Sequence, residues 1–248
     1  MAALVELLKK ILAVFLRKPE GKPASTPAPP PPVEAVSPPP PLKPTLQVVN
    51  IALDIGHRFK TSKPKDQGVV FQGLIEADIV ERYIRVAAAQ LCDTEMGGLR
   101  VKVFTPDVKA GTLVGDYPAR QKWANENGID FYLQGHINAG GGSYALMEYV
   151  SLEASLAAAK ILGINLASEI KEITKYRVEL LTPEKRVYVC LKDLRCPAVL
   201  YEPCFVDYPK HYEGLKADWP ERIAKTIVQS VQELLRGGVI CPLSMKRS

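Results

Sequence analysis

The sequence predicts one layered α/β domain, a mixed and largely parallel sheet flanked by helices, preceded by an amphipathic helix and a proline-rich tether. Short apolar runs alternate with helical patterns over roughly 200 residues, the signature of strands interleaved with helices. Twelve of the 21 prolines fall between residues 19 and 44, so the tether is set apart by composition. Apolar residues make up 47% and charged residues 24% of the 248, the balance of a chain that buries a core.

Residues 1–18 place Leu4, Leu7, Leu8, Ile11, Leu12 and Phe15 at helical spacing, which predicts an amphipathic helix. Lys9 and Lys10 interrupt the run, which is too short to span a bilayer. Charges inside and after the apolar part also fit poorly with a secretory leader. The expected role is contact with a membrane surface or a protein partner, the competing reading being a vestigial or leader segment that does little. Residues 19–45 form the linker, with four consecutive prolines at 29–32 and again at 38–41. Proline removes backbone donors, so this stretch predicts a semi-rigid spacer of up to ~80 Å at ~3.1 Å per residue. The first 45 residues carry six Lys/Arg against three Glu, more than half of the net charge of +5. That placement argues against a nucleic-acid groove on the main domain, which is expected over 46–240 with a tail at 241–248.

Within the main domain, Gln47–Asp54 reads as a buried strand and Gly73–Leu91 as a long helix. Arg100–Phe104 is a strand, Pro118–Asn127 a helix, and Asp130–His136 and Tyr144–Val150 are strands. Leu152–Glu172 is Ala- and Leu-rich and helical, Val187–Leu191 and Ala198–Tyr201 read as strands, and Glu221–Arg236 closes the chain as a helix. Five cysteines show no C-x-x-C pair, which fits neither a disulfide framework nor a zinc knuckle. They are expected to be mostly buried apolar residues, with a Cys190–Cys196 bridge left open.

Only three histidines occur. His57 and His136 each follow an apolar strand, and α/β sheets gather their sites at the carboxyl ends of strands. Glu76 lies near the start of the long helix, and Glu202 directly follows the strand A-V-L-Y. Two imidazoles and one carboxylate can supply three ligands for Zn²⁺, with a second carboxylate as proton acceptor. No H-E-x-x-H signature is present, and strand-end histidines in local hydrogen bonds are the competing reading. His211, in the polar stretch D-Y-P-K-H-Y, is expected to face solvent.

Five motifs then occur in order: I-A-L-D-I-G-H ending at His57, G-L-I-E-A-D containing Glu76, R-x-x-x-A-N from Arg120 to Asn125, L-Q-G-H-I-N-A with His136 and Asn138, and P-A-V-L-Y-E-P with Glu202. Together they resemble the zinc-dependent N-acetylmuramoyl-L-alanine amidase family of autolysins and phage endolysins, over about four-fifths of the chain. The resemblance implies that His57, Glu76 and His136 hold zinc and that Glu202 is the catalytic base. It implies a peptidoglycan substrate, cut between N-acetylmuramic acid and the L-alanine of the peptide stem. Asn138 is expected to orient ligands or substrate, or to shape the turn; Arg120 and Asn125 are expected to be structural. Two positions depart from the family pattern, Ile55 where Pro is usual before Gly-His and Cys204 where Gly is common after the glutamate.

One obvious helix lies between His136 and Glu202, and the fold needs it, so no inhibitory helix is expected. The missing leader favours a phage or prophage endolysin, held in the host cytoplasm until release to the wall, over a resident enzyme of the cell envelope. The alternative is a catalytically silent module of the same fold that binds wall material or organises a complex.

Overall fold

The computed structural model describes residues 46–106, 113–150 and 152–242. The terminal helix and linker expected over 1–45 lie outside them, as does the tail from residue 243.

The described chain begins with β1 (Gln47–Ile55), then two short strands, β2 (Val70–Phe71) and β3 (Leu74–Ile75), paired as a hairpin. Next come α1 (Glu76–Leu91), β4 (Glu95–Met96), β5 (Leu99–Phe104), α2 (Tyr117–Glu126), β6 (Phe131–Gly135), β7 (Ala145–Tyr149) and α3 (Glu153–Glu169). The chain continues through β8 (Tyr176–Leu180), a 3-10 turn at Arg186–Cys190, β9 (Ala198–Glu202), α4 (Pro209–Lys216) and α5 (Trp219–Arg236).

Seven strands form one sheet in the order β4-β5-β1-β6-β9-β7-β8. The central four, β5, β1, β6 and β9, run parallel, while β7 turns antiparallel to β9 and β4 antiparallel to β5. The predicted mixed, largely parallel sheet is therefore present. Because β1, β6 and β9 are adjacent and parallel, their carboxyl ends open at one edge. Ile55, Gly135 and Tyr201 share a row there, so Gly56, His136 and Glu202 follow at the same level.

Odd-numbered residues of β1 (Val49, Ile51, Leu53, Ile55) pack beneath α1, α3 and α5, whose buried faces include Tyr83, Ile84, Leu162, Leu166, Ile227 and Val231. Each large aliphatic side chain fully buried here contributes about 1.5–3 kcal/mol. The opposite face holds Ala52, Tyr132, Ala198 and Leu200 under Phe104, Leu113, Ala124, Cys190 and Leu191. No disulfide forms among the described residues, so the Cys190–Cys196 bridge is not made, and Cys190, Cys196 and Cys204 are buried as expected.

Two readings of the sequence need correction. Val187–Leu191 is not a strand but lies on the 3-10 turn, with Tyr188 N–H bonded to Lys185 C=O. Its β-branched residues suggested a strand, yet the place beside β7 is taken by β8, whose half-polar Y-R-V-E-L was missed. His211 does not face solvent: it is fully buried on α4, a helix launched by Pro209 at its first turn. Its ring packs against Tyr208 and Trp219, and Nδ1 accepts the Phe205 N–H at 3.1 Å. Burial without a second partner pushes its pKa down to about 4.

A depressed histidine pKa favours the fold above the unfolded value of about 6.5, and that contribution is lost as pH falls toward 4. His211→Asn should therefore be less stable than the native protein at pH 7.5, and the gap should narrow by up to about 3 kcal/mol at pH 4. Urea titrations across this range test it; a pH-independent gap would rule the histidine out as the acid-sensitive group.

Candidate metal and catalytic site

His57 stands just beyond β1, where Gly56 N–H still bonds to Gly135 C=O at 3.0 Å. A Cβ on Gly56 would come within 2.5 Å of that oxygen and of the His136 ring, so only glycine fits. His57 adopts a left-handed backbone (φ 69°), uncommon for a side chain of this size and characteristic of functional turns. Glu76 opens α1, where a carboxylate suits the helix dipole. His136 follows β6 and donates its own N–H to Tyr201 C=O at 2.9 Å.

These three side chains converge. Each offers one ligand atom, all within 4.8 Å of one another. His57 Nε2 lies 3.2 Å and His136 Nδ1 3.1 Å from Glu76 Oε1. The far side of each ring is engaged: His57 Nδ1 faces Asp66 Oδ1 at 3.2 Å, and His136 Nε2 faces Gln134 Oε1 at 3.2 Å. Gln134 gives its amide N–H to Asp54 at 2.6 Å, which turns its oxygen toward His136. These outer acceptors assign the ring protons to the far nitrogens. Two imidazole lone pairs and a carboxylate oxygen are thereby left facing one another.

That arrangement is repulsive unless a cation or a proton fills it. The carboxylate is held below its usual range: burial opposes this, but hydrogen bonding and charge from His136 and His57 prevail. His57 is raised, burial again opposing and the Glu76 and Asp66 carboxylates prevailing. The separations of 3.1–3.2 Å are close to the ~3.3 Å edge of a tetrahedron with ~2.0 Å bonds to zinc. Both Glu76 oxygens also accept backbone N–H groups, from Ile137 at 3.0 Å and Val69 at 2.9 Å, so the carboxylate cannot swing away. A tetrahedral ion with two nitrogen ligands and one oxygen ligand fits the residues present.

Glu202 ends β9 beside His136 and is half-buried. One of its oxygens accepts the Asn138 side-chain N–H at 2.5 Å. Burial, with the carboxylates of Glu148 and Glu76 nearby, pushes its pKa up to about 8. A cation between His57, Glu76 and His136 would pull in the opposite direction. Asn138 itself is fixed, its N–H bonded to Cys204 C=O and its C=O to Val206 N–H, both at 2.9 Å. Cys204 is wholly buried in the core and takes no place among the ligands.

The sequence did not single out Asp66, Gln134 or Asp54, although the last two sit inside the quoted motifs. Arg120 and Asn125 are structural, as expected. Arg120 is fully buried, pairs with Asp54 at 2.6 Å and binds the carbonyls of Ile55 at 3.0 Å, Gly115 at 2.7 Å and Arg58. It thus clasps both sides of the His57 turn. Asn125 staples the loop before β9 through Asp193 C=O and Arg195 N–H.

The layered sheet with two histidines and two glutamates at one edge has the amidase fold. The catalytic domain of the CD27L endolysin targeting Clostridia difficile superposes with a TM-score of 0.56 at 23% identity, over 75% of this chain and 97% of that one. The CwlD amidase of Clostridioides difficile, solved in complex with the GerS lipoprotein, gives 0.59 at 21% over 76% and 99%. The catalytic domain of CwlV, an amidase from Bacillus (Paenibacillus) polymyxa, gives 0.59 at 20% over 76% and 98%. Comparison with curated protein sequences gives no match. The family model for N-acetylmuramoyl-L-alanine amidase matches residues 51–233, and the chain belongs to that family.

Removing Arg120 strands the Asp54 carboxylate in the interior. Arg120→Met is expected to cost about 3–5 kcal/mol in urea unfolding. It should also weaken metal binding at the three-residue site by loosening the His57 turn, whereas an effect on stability alone would show that the turn holds without it.

Proposed function

We propose that the protein hydrolyses the amide between N-acetylmuramic acid and the L-alanine of the peptide stem in peptidoglycan, using water activated by zinc. The observation that carries this reading is the convergence of the His57, Glu76 and His136 ligand atoms beside a separate, half-buried carboxylate. Family membership supplies the substrate.

In this reading His57, Glu76 and His136 hold the ion, and Asp66 and Gln134 fix the ring tautomers that make it possible. Bound there, zinc supplies a more acidic water and a Lewis acid for the carbonyl oxygen. Glu202 takes the proton of the attacking water and passes it to the departing alanine nitrogen. Asn138 holds one Glu202 oxygen, so the other faces the reaction in a fixed orientation. The sheet edge gives most of these groups rigid supports, since all but Glu76 and Asp66 lie on or just past a central strand.

The setting we propose is lysis of the kind carried out by endolysins, with the enzyme kept in the host cytoplasm until it reaches the wall; a resident autolysin of the cell envelope is the other setting. Residues 1–18 would then bring the enzyme to a membrane surface or a protein partner, with residues 19–45 as the tether. The helix between the histidine and the glutamate is α3, whose Ala158, Ala159, Leu162 and Leu166 are buried in the core. It serves the fold, and the enzyme is expected to work without an activator.

Mass spectrometry of fragments from purified peptidoglycan should show free stems beginning at L-alanine, lost on chelation and restored by zinc. Cleavage elsewhere would refute the amidase assignment, and no cleavage would favour the wall-binding module. Glu202→Gln should bind zinc normally yet lower kcat by roughly 10²–10⁴-fold. A chain lacking residues 1–44 should keep its activity on purified wall but lose vesicle binding or lysis of intact cells; equal loss of all would argue against a targeting role. Activity appearing only after a partner protein is added would overturn the expectation of an uninhibited enzyme.

A further inference from the structure

On the face of the sheet that carries Glu202, β7 and β8 extend the surface beyond the catalytic edge. Leu146 of β7 pairs with Glu202 on one side and with Arg177 of β8 on the other. The three therefore form a row on one face, and with strands ~4.8 Å apart the backbone of Arg177 is ~10 Å from that of Glu202. The Arg177 guanidinium lies 3.9 Å from the centre of the Tyr144 ring. Because β7 runs antiparallel to β9, Tyr144 is level with the chain just past Glu202. The guanidinium is thus drawn toward the rim where the histidines sit.

Its surroundings are built. The Tyr144 ring meets Phe205 edge-on at 4.9 Å, and Phe205 bridges to Asn138, the residue that holds Glu202. The neighbouring cation Lys185 is engaged by Glu148 at 2.6 Å and Glu179 at 2.7 Å. Arg177, by contrast, is exposed and has no carboxylate partner among the described residues. A guanidinium stacked on an aromatic face keeps its planar fork available for a carboxylate while losing less freedom on binding.

We propose that Arg177, braced on Tyr144, is a subsite for a free carboxylate on the peptide stem. The inference rests on the amidase reading above and extends it to substrate choice. Two residues of extended peptide span about 7 Å. A carboxylate on the second stem residue, counted from the alanine at the cut, therefore falls between Glu202 and the Arg177 row. The arginine would select stems with that carboxylate free over stems with it amidated.

Calorimetry with two soluble stem fragments tests this: L-alanine followed by a residue with a free α-carboxylate, and the same dipeptide amidated there. The native protein should prefer the acid by at least about tenfold, and Arg177→Gln should remove the preference by weakening the acid alone. Tyr144→Leu should give an intermediate loss. Equal binding of both fragments by the native protein, or equal weakening of both in the variant, would overturn the subsite. Hydrolysis of a minimal muramoyl-L-alanine amide, which lacks both the second residue and any free carboxylate, should be unchanged in Arg177→Gln; a loss there would also overturn it. If the native enzyme cleaves no muramoyl substrate, the amidase reading fails, and the calorimetric contrast still decides the subsite.

Discussion

Beneath the candidate site, the carboxylate of Asp54 and the guanidinium of Arg120 meet with no exposure to solvent. A buried charge pair of this kind is tolerated only when its remaining hydrogen-bonding capacity is met. Here Tyr132 and Gln134 satisfy the carboxylate, while three backbone carbonyls satisfy the arginine. The pair joins the end of β1 to β6, to the start of α2 and to the turn that displays His57. Through Gln134 it reaches the far nitrogen of His136. A single ion pair thus sets the turn of one histidine and the tautomer of the other.

The layer above it shows the opposite economy. His57 is held in a left-handed turn, the ligand atoms face one another, and Glu202 is sunk beside other carboxylates. None of these choices favours folding. They are sustained by the well-packed layer of α1, α3 and α5, which fixes the strand ends, and by backbone donors that clamp Glu76. Strain concentrated at a site and offset by the surrounding core is the usual division of labour in such folds.

Much of this was legible in the chain itself. β1, β6 and β9 are mostly apolar runs bounded by glycine or proline, and α1 and α5 keep a helical period, so the elements and their alternation could be read directly, though not the order of strands in the sheet. The four acidic and basic residues of the site stood out because each ends an apolar element and sits in a motif. What the sequence hid was contextual. Tyr176–Leu180 alternates weakly because its faces see little core, and Val187–Cys190 has strand-like residues in a turn that closes a different surface. His211 looked solvated among polar neighbours, yet one helical turn rotates it inward onto Trp219. Asp66 lies in a loop, where no periodicity marks a residue that orients a ring.

The two margins of the sheet are protected in different ways. At one, β4 is only two residues long, too short to template another strand. At the other, β8 is five residues long with one side unpaired among the described residues, and Arg177 and Glu179 alternate along it with opposite charge. Charged residues on an exposed margin discourage a second chain from adding itself to the sheet. Arg177 thus belongs to the chain's defence against self-association whatever it binds, and apolar replacements there would carry a cost in solubility that polar ones avoid.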